Sequence, residues 1–109
     1  MPRIRSARVT ELPPGSATRV RLEGRAIALF NVGGAFHAVN DRCPHEGGRL
    51  SSGSVEEGAV RCPVHGACFA LATGEALEPP AGEAMGPPVD KGIRVYPVTV
   101  IDDEIYLDV

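Results

Sequence analysis

Two short runs constrain this chain more than any other feature: Cys43-Pro44-His45 and Cys62-Pro63-Val64-His65, with sixteen residues between His45 and Cys62. Each run places a thiol and an imidazole within chelating reach of one another. A metal held by both runs would tie two loops together and limit what can lie between them. That tie matters at 109 residues, a length that makes one domain and buries only about two-thirds of the unfolded chain's surface. The three cysteines are an odd count. This suits neither a disulfide framework nor a secreted scaffold, and it leaves reduced thiols available to a metal.

Thiolate and imidazole are ligands that zinc and iron-sulfur clusters share, so residue type alone leaves both open. Spacing separates them. Structural zinc sites favour a cysteine pair followed by a histidine pair, which keeps like ligands together. Here each run mixes the two kinds. A [2Fe-2S] centre with two cysteines on one iron and two histidines on the other needs one ligand of each kind from each of two apposed loops. The order Cys43, His45, Cys62, His65 meets that demand.

The rest of the chain reads as short strands and turns. Thr18 to Leu22 alternates, with Val20 and Leu22 on one face and Arg19 and Arg21 on the other. Glu23-Gly24 is then a turn, Arg25 to Asn31 a strand, Gly33-Gly34 a hairpin turn, and Ala35 to Val39 the returning strand. From about Asn40 to Gly74 two loops rich in glycine and proline flank Val55 to Arg61, where Glu57-Gly58 marks another turn. Pro79-Pro80 and Pro87-Pro88 make residues 78–92 an extended surface loop. At the end Ile93 to Val100 is expected to pair across Asp102-Asp103 with Glu104 to Val109, with an edge or bulge at Pro97. No segment carries the 3.6-residue apolar period over the length of an ordinary helix. The expected fold class is all-β.

Cys43-Pro44-His45 with Cys62-Pro63-Val64-His65-Gly66 resembles the Rieske signature. Asn40-Asp41-Arg42, Phe69, Thr73-Gly74 and Glu78-Pro79-Pro80 extend the likeness to the small Rieske ferredoxins that serve ring-hydroxylating dioxygenases and related oxygenases. The resemblance implies stacked antiparallel sheets over a single domain, 1–109, with a cluster-binding subdomain at about 42–80 formed by two loops. It implies one [2Fe-2S] cluster per chain on Cys43, His45, Cys62 and His65, with the histidines toward solvent. It also implies a reductase as electron donor and an oxygenase as acceptor. High-potential relatives carry an inter-loop disulfide and hydroxyl donors at positions matched here by Gly48, Val64, Ala67 and Phe69. None of these can supply either, which places the potential at the low end of the Rieske range.

A formal charge of −3 and a pI near 5.5 argue against nucleic acid as a partner. No apolar run reaches the roughly 20 residues of a membrane helix, and Met1-Pro2-Arg3-Ile4-Arg5 leads into no signal-peptide stretch, so the expected location is cytoplasmic with no membrane partner. No nucleophile-base-acid constellation appears, so the chain is expected to carry electrons rather than catalyse. The alternatives are a small Rieske-like subunit of a nitrite reductase or other redox enzyme, and a zinc-stabilised interaction module. Cys68 is expected to pack as a small apolar residue, and His37 is assigned no role. Gly47-Gly48 and Gly66 either make turns or bring N–H groups toward sulfide. Arg42 and Arg49 flank the first ligand run, where charge would steer docking.

Overall fold

The computed structural model describes residues 3–42, 48–63, 66–78 and 92–109. Its strands are β1 (Arg3–Arg8), β2 (Ala17–Leu22), β3 (Arg25–Val32), β4 (Ala35–Asn40), β5 (Ser54–Glu56), β6 (Ala59–Arg61), β7 (Cys68–Ala70), β8 (Ala76–Glu78), β9 (Val95–Tyr96), β10 (Val98–Ile101) and β11 (Glu104–Asp108). Among the described residues they form three antiparallel sheets, ordered β1-β11-β10, β2-β3-β4-β9 and β5-β6-β7-β8. Helix is limited there to two short 3-10 turns, Val9–Glu11 and Leu50–Ser52. The all-β expectation is met.

The middle sheet explains the layering. Ala26 to Phe30 in β3 is apolar at every position, as expected of a strand covered on both faces. Successive side chains point to opposite faces. Ala28 and Phe30 therefore join Val39, Leu50, Val60, Cys62, Ala67, Phe69 and Leu71 in one buried cluster, shared with the β5–β8 sheet. Ile27 and Leu29 join Leu12, Ala38, Tyr96, Ile105, Leu107 and Val109 in a second, shared with the terminal sheet. Each large side chain buried in these clusters contributes about 1.5–3 kcal/mol. β2 closes on β3 with Val20 opposite Ile27, and β3 on β4 with Ala28 opposite Val39.

The hairpin turns follow the sequence reading. Glu23-Gly24, Gly33-Gly34, Glu57-Gly58 and Asp102-Asp103 each place two successive residues at positive φ, the backbone of the tight turns that match strand twist. Asp102 and Asp103 do so without glycine, at φ 50° and 64°. Aspartate tolerates this conformation better than most residues do.

Two expectations are corrected. Ile93 to Val100 is not one strand. β9 pairs with β4, Val39 facing Val95, whereas β10 pairs with β11, Val98 facing Leu107. Pro97 lies at the switch. It has no N–H for a ladder, and its carbonyl accepts from Asp108 N at 3.1 Å. The second correction is β1, which the sequence did not reveal. Arg3–Arg8 pairs with β11, Arg3 opposite Asp108 and Ile4 opposite Leu107. The extended loop expected at 78–92 falls almost wholly outside the described residues.

Candidate metal centre

The residues on either side of each expected ligand run are joined by main-chain hydrogen bonds. The first loop begins after β4. Asp41 N donates to Ala26 O at 3.0 Å, Leu50 N returns to Asp41 O at 2.8 Å, and Arg42 bridges Arg49. The second connects β6 to β7. Cys62 N donates to Ala67 O at 2.7 Å, and Gly66 N to Cys62 O at 3.0 Å. Gly66 has φ 80°, a conformation in which glycine carries no steric penalty. Its carbonyl accepts from Arg61 Nη1 at 2.7 Å, an arm that braces the turn from β6.

Of the four expected ligands, the described residues place Cys62. Cys43, His45 and His65 lie outside them, as do Glu46, Gly47 and Val64. Cys62 is 1% exposed and belongs to the same buried cluster as Leu50, the residue that closes the first loop, and Ala67, which closes the second. The bases of both loops thus meet in one apolar cluster. A thiolate buried there is costly unless a cation balances it, and ferric iron, were it bound, would supply that balance. The donor chemistry fits a metal cluster. The described residues alone bring no three His, Cys, Asp or Glu groups together as a metal site.

Cys68 lies in β7, buried at 7% exposure, opposite Arg61 of β6. His37 is half-buried on β4 opposite Phe30. Sequence reasoning gave no role to Asp41, although it adjoins the first run. Its side chain is 1% exposed and binds Ser51 and Arg19. An acidic residue two positions before the first cysteine was the available signal.

The family model for the Rieske [2Fe-2S] domain matches residues 3–97. The chain belongs to that family. The cofactor of a Rieske domain is a [2Fe-2S] cluster with two histidines replacing two cysteines on one iron. The chain is 42% identical over 109 residues to the 3-phenylpropionate/cinnamic acid dioxygenase ferredoxin subunit of Escherichia coli (strain K12), an alignment covering 99% of this chain and 94% of that one. The Rieske fold is also similar to a chain in the complex of reduced oxygenase and oxidized ferredoxin in carbazole 1,9a-dioxygenase. There the TM-score is 0.81 at 27% identity, over 96% of this chain and 91% of that one. A protein described as the small subunit of an NADH-dependent nitrite reductase from Mycobacterium tuberculosis superposes with TM-score 0.82 at 27% identity, over 97% and 93%. No helix among the described residues of this Rieske domain is long and apolar enough to cross a membrane.

Proposed function

We propose that the chain is a cytoplasmic Rieske ferredoxin, a single domain over residues 1–109 with its cluster-binding subdomain at about 42–80. Cys43, His45, Cys62 and His65 hold one [2Fe-2S] cluster, and the protein takes one electron from a reductase and passes it to a terminal oxygenase. The observation that carries this reading is the likeness to a dioxygenase ferredoxin subunit across 99% of the chain. The likeness takes in 94% of that subunit, itself named as a ferredoxin component. The cluster, when bound, supplies reversible one-electron chemistry. The chain's residues supply a dry thiolate site at Cys62, two loops closed at their bases, and exposed Arg42 and Arg49 beside the first loop.

The decisive experiment reconstitutes the purified holoprotein with a reductase and an aromatic-ring dioxygenase and follows electron arrival at the oxygenase. Transfer should require this protein and should slow as salt rises. Copurification with a large nitrite-reducing subunit, without transfer to an oxygenase, would instead establish the subunit role suggested by the nitrite reductase likeness.

A further inference from the structure

Asp41 is a buried carboxylate at the entrance to the first ligand loop, and its position is fixed. Its Oδ1 accepts from Ser51 N at 2.6 Å, and its Oδ2 accepts from the Ser51 hydroxyl at 3.0 Å. Arg19, reaching across from β2, places Nε 3.2 Å from Oδ2. That nitrogen is buried and has no hydrogen bond of acceptable angle, so its contact with Asp41 is an ion pair rather than a directed bond. The main chain of Asp41 is held as well, by Ala26 and Leu50. Neither the carboxylate nor its backbone is free to swing away from the loop it starts.

A fixed charge near an electron acceptor changes the free energy of adding the electron, and the effect grows as the surroundings become less polar. Two steps along the chain span at most about 7 Å, and Cys43 is two steps from Asp41, with Arg42 between them. Arg42 and Arg49 are exposed, so water and salt screen them. Asp41 is 1% exposed and Arg19's side chain 30% exposed, which leaves this pair the least screened charges at the base of the loop among the described residues. The pocket beside them is lined by Arg19, Ala26, Asp41, Arg42, Gly48 and Arg49.

We propose that Asp41 and Arg19 are a charge pair that sets the reduction potential of the cluster, the carboxylate lowering it and the guanidinium raising it. This rests on the reading of Cys43 and its partners as the ligands. Reduction adds one electron to a ferric ion, with no bond made or broken in the chain, so the pair acts only through its field. Both are positioning residues, since neither ligates iron.

The test is a spectroelectrochemical titration of the isolated holoprotein, with paramagnetic resonance of each reduced form to confirm unchanged ligation. Asp41→Asn keeps an acceptor for Ser51 and removes the negative charge, so its midpoint should rise. Arg19→Gln removes the positive charge, so its midpoint should fall. Each shift should be at least about threefold in the reduction equilibrium, roughly 28 mV at 59 mV per tenfold for one electron, and the double variant should lie between the two. A loosened loop would not move the two single variants in opposite directions. Shifts of the same sign, or none, overturn the proposal. Should Asp41→Asn fail to hold its cluster, Arg19→Gln decides alone: a lower midpoint supports the pair and an unmoved or higher one overturns it. A wild-type protein lacking an iron-sulfur spectrum would overturn the carrier reading too, whereas a normal spectrum with unmoved potentials overturns the charge pair only.

Discussion

The β2–β4 meander and the β5–β8 sheet are both antiparallel and both lean on the same buried cluster, yet they are held in different ways. In the meander the strands run six to eight residues, and β2 and β3 keep unbroken register from Ala17–Phe30 to Leu22–Arg25. In the ligand sheet every strand has three residues, and the register slips between Cys68 and Phe69 where β7 meets β8. Strands this short give few ladder bonds. The sheet is secured by Val60, Cys62, Ala67 and Phe69 packing against Ala28, Phe30 and Val39, and the proposed metal tie would add to that in the holoprotein. A long ladder carries its own order. A short one depends on what it packs against and what it binds.

Breaking the metal tie should therefore affect the two sheets unequally, and this is the largest effect expected. In Cys62→Ala the cluster is lost, as iron and sulfide assays will show. The amides of Cys62 and Gly66, bonded within the second loop, should lose hydrogen-exchange protection by orders of magnitude, while those of Ile27 to Phe30 keep theirs. Cys68→Ala should retain the cluster, because Cys68 is packed in β7. Equal loss of protection in both sheets would erase the distinction, and cluster loss in Cys68→Ala would show the ligand set to be wrong.

A smaller effect concerns what surrounds the second loop. Ala67 and Phe69 are buried, at 1% and 0% exposure, and neither carries a hydroxyl. Sulfur that receives fewer hydrogen bonds stabilises the added electron less, so the midpoint should lie near about −150 mV, the bottom of the Rieske range. Voltammetry giving a value above about +100 mV would contradict this account of the loop.

The smallest effect belongs to the terminal sheet, where an ion pair adds to a ladder that is already adequate. Arg5 Nε donates to Glu104 Oε1 at 2.7 Å across β1 and β11. The Arg5 hydrogen bond and charge hold the Glu104 carboxyl below its ordinary range, and Glu104 in turn raises the Tyr106 hydroxyl through their hydrogen bond. A depressed folded-state pKa means that the contribution is present above the unfolded pKa and disappears as pH falls through the folded one. Glu104→Gln should thus lower the thermal midpoint slightly at neutral pH and match the wild type in acid. Since the pair is exposed, the difference should shrink with added salt. A gap that persisted below the carboxylate range would show that something other than charge was lost.

Sequence reading succeeded where local chemistry decides structure. Gly33-Gly34 and Glu57-Gly58 announce their turns, and Ile105, Leu107 and Val109 show their buried face by alternation. It failed where the partner is distant. Arg3–Arg8 has Ile4 as its single large apolar residue, and only β11, at the other end of the chain, makes it a strand. β7 and β8 are too short for any period to register. At the site the proposed ligand pattern rests on the sequence, and the described residues add where Cys62 is seated. Asp41 was counted in the family likeness but given no role, because a lone carboxylate in a loop looks solvated until its partners, Ser51 and Arg19, are seen to converge on it.

The pairing of β1 with β11 also orders events during synthesis. The β2–β4 meander joins neighbours in sequence and can form as soon as it emerges. Arg3 must wait for Asp108, which follows it by 105 residues. Both cysteine-histidine runs are made in between. At about 5–20 residues per second, several seconds of synthesis separate Arg3 from Asp108, so β1 stays without its partner strand while the meander and both cysteine-histidine runs are already made.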